Sequence, residues 1–190
     1  GSKGVLNKNI RELCKQPLLS YSILDALRTP LIEETYVSTN NEHIANIALK
    51  YGAEVPFLRP EELAQDDSLL IDVVKHFLTE FYKINNYYPE NIALLVPTTP
   101  IRNIYTINEA ILKIKKYPEA TGLRSVHEFI ESPYKWFTSL AEFLVPLFSQ
   151  DISNLDKPRQ QMPKVYVPNG YIDIIKPQIA LKENKVYGEK

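Results

Sequence analysis

NIALLVPTTPIRNIYTINEAILKIKKYP, residues 91–118, decides the fold class of this 190-residue chain. Its first part, Ile92 to Val96, is a continuous apolar run of strand length, which is typical of a strand buried on both faces of a sheet. Between residues 104 and 117, four isoleucines recur at the spacing of one helix face, at positions 104, 107, 111 and 114. A buried strand followed by an amphipathic helix is the repeating unit of an α/β fold.

The sequence before this unit alternates in the same way. One helix is expected between Pro17 and Pro30, and the next is capped by Asn40 or Asn41. A wide apolar stripe over residues 69–82 predicts a third helix. Two short strand candidates lie between these helices, Tyr36-Val37-Ser38 and Val55-Pro56-Phe57-Leu58. Short strands that alternate with helices predict an α/β sheet of mainly parallel strands with helices on both faces.

Residues 124–165 interrupt this alternation. The segment contains Trp136, Phe137, Phe143, Pro146 and Phe148 without a clean helical or strand period. We interpret it as an insertion into the α/β domain, and its aromatic content predicts burial against another surface. That surface is either a second subunit or the segment's own domain, and the sequence supports both alternatives equally.

The bulk composition is that of one ordinary globular domain, with 44% hydrophobic and 24% charged residues. A formal net charge of −1 provides no basic field, which argues against a nucleic-acid partner. No apolar run reaches membrane-spanning length, so no membrane association is expected. The single cysteine, Cys14, cannot form an internal disulfide, which favours a reducing, cytoplasmic location.

Four segments in order carry the functional signal: GSKGVLNKN (1–9), VPFLRPEELAQDDS (55–68), LLVPTTPIR (94–102) and KPRQQMPKVYVPNGYIDII (157–175). Together they resemble the nucleotide and sugar-acid sites of the CMP-sialic acid synthetases, the acylneuraminate cytidylyltransferases. The resemblance extends over nearly all of residues 1–190 and implies a single cytidylyltransferase domain with a Rossmann-like nucleotidyltransferase sheet. It also implies that residues 124–165 are a dimerisation insertion, that the protein is a homodimer, and that the chain is truncated at both ends.

The first segment has the composition of a phosphate-binding turn. Small residues expose backbone N–H groups that wrap phosphate oxygens, and lysines add the positive charge that a triphosphate needs. The family pattern R-x-x-S-K-G-x-x-x-K-N is matched from Ser2 to Asn9, without its arginine. The resemblance therefore assigns nucleotide binding to Gly1, Ser2, Lys3, Lys8 and Asn9 and a catalytic role to Lys3 and Lys8. The alternative is a cloning remnant followed by ordinary terminal lysines.

The second segment matches the family pattern L-R-P-x-E-L-A-x-D from Leu58 to Asp66. The resemblance implies that Arg59 contacts the cytosine end of CTP, whose carbonyl and ring nitrogen accept hydrogen bonds from a guanidinium. Ser68 stands where the family places small hydroxyl residues, although leucines follow it here. The alternative for Arg59 is a surface ion pair with Glu61 or Glu62.

The third segment resembles the family's L-L-Q-P-T-S-P-L-R, in which the end of a strand delivers polar groups to the sugar pocket. Ligands of open α/β sheets gather at the carboxyl ends of strands, so Thr98, Thr99 and Arg102 become candidate sugar-binding residues. Capping or pairing at the following helix is an equal alternative for Arg102. The family glutamine, which binds the sugar's glycerol-like tail, is Val96 here, and this predicts a different or less polar tail.

The remaining sugar-side assignments also come from the resemblance. Arg159 matches a family arginine near the acid substrate, and a guanidinium can hold a carboxylate with two parallel hydrogen bonds. Asn169 matches a family asparagine, although the arginine that usually precedes it by two residues is Val167. Lys135 matches a lysine that reaches the sugar site from the insertion, and the alternative is a lysine lying over neighbouring aromatic rings.

The implied reaction joins CTP to a nine-carbon 2-keto sugar acid, sialic, legionaminic or related, and gives a CMP-sugar and pyrophosphate. The expected cofactor is Mg²⁺, which bridges phosphate oxygens in such reactions. The family's metal ligands come from a D-x-D pattern, which this sequence lacks, so no metal ligand is assigned. Two alternatives stay open: a non-catalytic nucleotide-binding relative, and a cytidylyltransferase for another acid such as the eight-carbon Kdo.

Overall fold

The computed structural model describes residue 5 and residues 7–148 and 152–190. These residues form two compact units. The larger contains the residues up to Arg124 together with Gly170–Lys190, and the smaller is Ser125–Asn169. The smaller unit covers most of the segment 124–165 that the sequence distinguishes, and its role in dimerisation stays a prediction.

Helices and short strands alternate along the chain. The helices are α1 (Leu18–Arg28), α2 (Glu42–Lys50), α3 (Leu70–Asn85), α4 (Ile104–Lys116) and α5 (Pro177–Glu183). The strands are β1 (Glu12–Leu13), β2 (Gln16–Pro17), β3 (Ile92–Leu94), β4 (Gly122–Glu128), β5 (Phe137–Leu140), β6 (Phe143–Pro146) and β7 (Tyr166–Ile175). Helices α1 to α4 and strand β3 lie where the periodicity predicts them.

Local signals explain where two of the helices begin. The side chain of Asn41, one of the two predicted caps, accepts a hydrogen bond from the backbone N–H of Ile44 and starts α2. Asn103 caps α4 in the same way, because its Oδ1 accepts from the N–H of Tyr105 at 2.9 Å. Each side chain therefore satisfies one of the backbone donors that a helix start leaves unpaired.

The sheet of the larger unit has the strand order β3-β7-β4. Strands β3 and β7 run antiparallel, with Ile92 opposite Ile175 and Leu94 opposite Asp173. The prediction of mainly parallel strands is therefore not confirmed, although the mixed α/β class is. Parallel pairing does occur at an isolated bridge between Tyr36 and Glu54. This bridge does not extend into the two predicted strands because Pro56 lacks the N–H that a ladder requires.

Helices pack on both faces of this sheet, as predicted. Successive residues of β7 point to opposite faces, so Ile174 packs with α4 while Ile175 packs with α3 and α5. A third apolar cluster holds α1 against α2 and the segment around Val37 and Val55. Helix α1 thus packs against the segments that lead to Ser38 and Arg59.

The hairpin before α1 has an unusual turn. Strands β1 and β2 pair antiparallel, and the two residues between them, Cys14 and Lys15, have φ angles of 49° and 66°. Positive φ at both central positions is the geometry of a type I′ turn, which normally uses Asn-Gly. The turn is therefore formed by two residues whose side chains disfavour the backbone conformation that the turn requires.

The smaller unit contains an antiparallel hairpin of β5 and β6, in which Phe137 pairs with Pro146 and Leu140 with Phe143. Several of its apolar side chains face outward, among them Phe143 at 73% exposure and Leu144 at 72%. Among the residues that the structure describes, no helix is both long and apolar enough to cross a membrane.

Candidate functional site

The turn that follows β3 is built around one carbonyl oxygen. The Val96 carbonyl accepts a hydrogen bond from the Thr99 N–H at 3.2 Å, which closes the turn. It also accepts from Nη2 of Arg102 at 2.7 Å and from the Ser22 hydroxyl at 3.4 Å. The turn carries Thr98 at its exposed tip and a half-buried Thr99 beside it. Both threonines thus lie just beyond the carboxyl end of β3, where α/β sheets bind ligands.

Arg102 occupies the centre of this arrangement. Its Nε donates to the Tyr171 carbonyl at 2.6 Å and its Nη1 to the Ser22 hydroxyl at 2.9 Å. Its Nη2 donates to the carbonyls of Val96 and, at 3.3 Å, Gly170. Burial lowers the pKa of the Arg102 guanidinium, and the nearby carboxylate of Asp25 opposes that effect. Contacts within the protein thus take four of the five N–H hydrogens of the Arg102 guanidinium, and its sugar contact stays a prediction.

The middle of β7 packs closely against the same turn. Gly170 has a φ of 66°, and a β-carbon there would lie 3.2 Å from Oγ1 of Thr99 and from Cγ2 of Val96. The hydroxyl oxygen of Tyr171 accepts a hydrogen bond from the N–H of Asn103, at the start of α4. Residues 96–103 and 170–171, distant in the sequence, thus form one surface.

A second group of polar residues surrounds Arg59. The Arg59 N–H donates to the Thr39 carbonyl at 2.8 Å, which joins the residue after the strand candidate Tyr36-Val37-Ser38 to the second segment, residues 55–68. The Arg59 Nε is buried without an acceptor, and the Ser38 hydroxyl is likewise buried without a partner. Burial lowers the pKa of the Arg59 guanidinium. Glu61 instead accepts from the Asn40 amide at 2.7 Å, and the described residues contain no ion pair from Arg59 to Glu61 or Glu62.

The other predicted nucleotide residues have simpler surroundings. The Ser68 hydroxyl donates to the Glu62 carbonyl at 3.0 Å, so Ser68 folds back onto the turn that follows Arg59. Lys8 and Asn9 lie in a single 3-10 turn, Lys8–Ile10, which contacts α1. Gly1, Ser2 and Lys3 lie outside the described residues.

Lys135, Arg159 and Asn169 belong to the smaller unit. Arg159 lines a cavity of about 340 Å³ together with Ser132, whose hydroxyl is buried without a partner. Lys135 ends a 3-10 turn that begins at Pro133, and its N–H donates to the Ser132 carbonyl at 3.1 Å. Oδ1 of Asn169 accepts from the Ser125 hydroxyl at 2.7 Å. Within this unit the predicted guanidinium therefore lines a cavity, whereas the predicted amide is engaged by a protein side chain.

A larger cavity, of about 590 Å³, lies in the other unit, beside Tyr88, Asn91 and Lys176. Asn91 precedes β3, whereas the turn from Val96 to Thr99, called the threonine turn below, follows it. This cavity therefore lies at the other end of the strand. It contains none of the predicted site residues. Size alone therefore does not identify the site in this protein.

The described residues do not fit a magnesium ion. They contain no group of three or more acidic, histidine or cysteine side chains that could hold a metal. The buried carboxylate of Asp173 accepts from the Tyr187 hydroxyl at 2.5 Å and lies 3.6 Å from Nε of Arg124. Asp173 is therefore engaged by Tyr187 and Arg124.

Sequence reasoning missed three contributors to this site: Ser22, Gly170 and Tyr171. An Asn-Gly pair indicates a positive φ at its glycine, and this signal could have identified Gly170, which lies within β7. No sequence pattern around Ser22 distinguishes it from other small residues on the buried face of a helix.

Comparison with known proteins places these observations in a family. The family described as "Cytidylyltransferase" matches residues 1–162. A CMP-N,N'-diacetyllegionaminic acid synthase from Legionella pneumophila is 40% identical over 111 residues, which cover 58% of this chain and 47% of the relative. A pseudaminic acid cytidylyltransferase from Campylobacter jejuni is 31% identical, over 77% of this chain and 56% of the relative. The chain thus spans about half the length of these two curated relatives.

Two other comparisons extend over the whole chain. The post-translational flagellin modification protein B of Campylobacter coli is 31% identical over 189 residues, which cover 100% of this chain and 79% of that protein. A solved CMP:2-keto-3-deoxy-manno-octonic acid synthetase, complexed with CTP, has a TM-score of 0.69 and covers 100% of this chain and 75% of its own. That enzyme is only 11% identical and therefore supports the nucleotidyltransferase-like α/β fold alone. From the family match and the relative that matches the whole of this chain, we conclude that the chain belongs to the cytidylyltransferase family.

Proposed function

We propose that the protein joins CTP to a nine-carbon 2-keto sugar acid and releases pyrophosphate and a CMP-sugar. Family membership supports the transfer of a cytidylyl group. The relatives named for legionaminic, pseudaminic and acylneuraminic acids support the class of acceptor. The first-segment residues Gly1, Ser2, Lys3, Lys8 and Asn9 are proposed to hold the triphosphate, as their family pattern implies.

The observation that carries the nucleotide half of the proposal is the unpaired Nε of Arg59. A buried donor without an acceptor costs roughly 1–3 kcal/mol, more when it is charged, so such a group in a native protein calls for an explanation, and the explanation proposed for Arg59 is a bound ligand. The O2 and N3 atoms of cytosine are acceptors of the required kind. The Ser38 hydroxyl, also buried and unpaired, comes from the segment that Arg59 joins through the Thr39 carbonyl. We therefore propose that the cytosine base binds beside Arg59 and Ser38, and that Ser68 lies at the edge of this base site.

In the proposed reaction, the anomeric hydroxyl oxygen of the sugar acid attacks the α-phosphorus of CTP. A P–O bond forms to the sugar, and the bond from the α-phosphorus to the bridging oxygen breaks, so pyrophosphate leaves with that electron pair. The hydroxyl proton is lost to solvent or to a base, and no described residue is assigned that role. Lys3 and Lys8 are proposed to stabilise the charge that develops on the leaving group.

The sugar acid is proposed to bind at the threonine turn after β3. Thr98 is exposed at the tip, and Thr99 and the apolar Val96 line the surface beside Gly170. Val96 stands in place of the family glutamine, and its apolar side chain cannot hydrogen-bond a hydroxyl group on the tail of the sugar acid. This favours an acid whose tail presents fewer free hydroxyl groups. From the resemblance, Arg159, Lys135 and Asn169 of the smaller unit are also proposed to bind the sugar acid, with Arg159 holding the carboxylate.

Three further properties are also proposed. The exposed apolar side chains of the β5–β6 hairpin are of the kind that a homodimer would cover. The lone Cys14 suits a cytoplasmic protein. A requirement for Mg²⁺ is implied by the resemblance, and the described residues provide no cluster for it.

A non-catalytic nucleotide-binding relative is the second candidate, and the missing acidic cluster among the described residues favours it. One experiment separates the candidates: pyrophosphate release by the full-length protein with CTP, Mg²⁺ and a panel of sugar acids. The panel contains legionaminic, pseudaminic, N-acetylneuraminic and Kdo acids. Release that depends on a nine-carbon acid supports the proposal. Release with Kdo alone, or CTP binding without any release, contradicts it.

A further inference from the structure

We propose that Arg102 is a positioning residue for the sugar side of the reaction and that Ser22, buried in α1, is its anchor. The inference rests on the proposed function and adds two residues to it. Neither acts on the substrate directly. Both act through the backbone of the threonine turn and of the last strand.

The first support is a closed ring of hydrogen bonds. Arg102 donates through Nη1 to the Ser22 hydroxyl at 2.9 Å, and Ser22 donates to the Val96 carbonyl at 3.4 Å. Arg102 also donates directly to that carbonyl, through Nη2, at 2.7 Å. Removal of the Ser22 hydroxyl therefore breaks two of the three sides of the ring. Because Ser22 is only 6% exposed, it lies too deep to serve as a ligand itself.

The second support is what the guanidinium holds. Its Nε and Nη2 donate to the carbonyls of Tyr171 and Gly170, in the middle of β7, the central strand of the sheet. One rigid side chain thus joins the turn that presents Thr98 and Thr99 to the residues that pack against that turn. The planar fork of arginine fixes the relative direction of its acceptors, which a lysine would not do.

The third support is that few N–H hydrogens of Arg102 remain for a ligand. Four hydrogen bonds to protein acceptors leave a single N–H hydrogen on a group that has five. A bidentate contact with a substrate carboxylate needs two parallel N–H groups. Arg102 therefore cannot bind the substrate carboxylate with two parallel hydrogen bonds. Its hydrogen bonds to protein acceptors suit a residue that positions the backbone.

Two buried serines on the same helix provide a matched pair of variants. Ser20 is 0% exposed, and its hydroxyl donates to the Pro17 carbonyl at 2.8 Å, away from Arg102. Ser22→Ala and Ser20→Ala each remove one buried hydroxyl from α1, and both are milder than a change of Arg102, which could prevent folding. The measurements are KM for the sugar acid, KM for CTP, kcat, and the thermal unfolding midpoint of the full-length protein.

We expect Ser22→Ala to raise KM for the sugar acid by roughly fivefold, the effect of one net hydrogen bond, while KM for CTP stays within about twofold. Ser20→Ala should lower the thermal unfolding midpoint about as much as Ser22→Ala does, and it should leave both KM values unchanged. If Ser22→Ala matches Ser20→Ala, or weakens CTP and sugar acid equally, the inference is wrong. A wild-type protein that releases no pyrophosphate with any acid overturns the proposed function itself, and the inference with it.

Discussion

A β-carbon on Gly170 would lie 3.2 Å from the hydroxyl oxygen of Thr99, closer than most real contacts of this type. Gly170 also has a φ of 66°, which side-chain-bearing residues rarely adopt. The glycine therefore serves two needs together, a left-handed backbone and a close approach to the threonine turn. Any other residue at position 170 pushes the turn away from the last strand.

Gly170→Ala should consequently destabilise the protein by about 1–2 kcal/mol and raise KM for the sugar acid. Chemical denaturation and steady-state kinetics measure the two effects. Gly52→Ala is the matched control: Gly52 has a φ of 92°, and a β-carbon there would meet only the end of the exposed Leu27 side chain, at 3.1 Å. Gly52→Ala should lose similar stability without a change of KM. Equal kinetics for the two variants would contradict the assignment.

Arg59→Met should weaken CTP binding by roughly tenfold or more without a loss of folding stability. The substitution removes the hydrogen bond to the base, and it also removes a buried donor that has no partner in the free protein. Calorimetric titration with CTP and thermal unfolding without ligand measure the two quantities. Arg28→Met, at an exposed arginine, should change neither by more than about 0.5 kcal/mol. A marked destabilisation by Arg59→Met would indicate a structural arginine instead.

The helices were predictable from sequence because their signals are local. The isoleucine spacing of α4 and the wide stripe of α3 record which face is buried, and Asn103 and Asn41 supply caps within one turn. Helix α5 was missed although Pro177 marks its first turn, because seven residues are too few for a periodic pattern. Local chemistry thus sufficed wherever an element was long enough to show its period.

Strand direction and the role of Arg102 were not predictable for a shared physical reason. The antiparallel pairing of Leu94 with Asp173 joins residues far apart in the chain, and no local pattern encodes a partner's direction. The bonds from Arg102 to Ser22 and Tyr171 likewise cross about 70–80 residues of sequence. A motif identifies Arg102 as important, but only its acceptors distinguish a positioning residue from a ligand.

Lys15→Gly should stabilise the protein by about 1 kcal/mol, the lower end of the cost of a left-handed backbone at a residue with a β-carbon. Lys15 adopts a φ of 66° in the tight turn between β1 and β2, and glycine tolerates this conformation at no steric cost. Urea denaturation monitored by circular dichroism checks the change. Lys15→Ala removes the same charge and keeps the β-carbon, so it should bring no gain. A gain with alanine equal to that with glycine would attribute the effect to charge and not to backbone strain.

Asp25→Asn should alter the pH dependence of stability in a defined direction. Burial raises the pKa of the Asp25 carboxyl, against the opposing charges of Arg102 and Arg28, and its Oδ2 has no hydrogen-bond partner. A folded-state pKa above the unfolded value gives stability below the unfolded pKa, near 3.8, that is lost as the pH rises through the folded pKa.

The free energy of unfolding of Asp25→Asn, relative to wild type, should therefore increase from pH 4 upward and then level off, as measured by urea titrations at several pH values. Asp67→Asn, at an exposed carboxylate, should differ from wild type by no more than about 0.5 kcal/mol across the range. A difference that shrinks with rising pH would show that the charged form of Asp25 is the favoured one in the fold.

Val96→Gln should shift acceptor preference toward acids whose tail carries free hydroxyl groups, such as N-acetylneuraminic acid. Val96 lies at the threonine turn, and its Cγ2 is 3.2 Å from the position of a Gly170 β-carbon, so its side chain forms part of the proposed sugar surface. A glutamine there can bond a tail hydroxyl, and selectivity between acids with and without that hydroxyl should change by about tenfold in the ratio of kcat/KM. Val126→Gln makes the same chemical change at an exposed position and should leave the ratio unaltered. An unchanged ratio in Val96→Gln, with folding intact, would move the tail of the acceptor away from this turn.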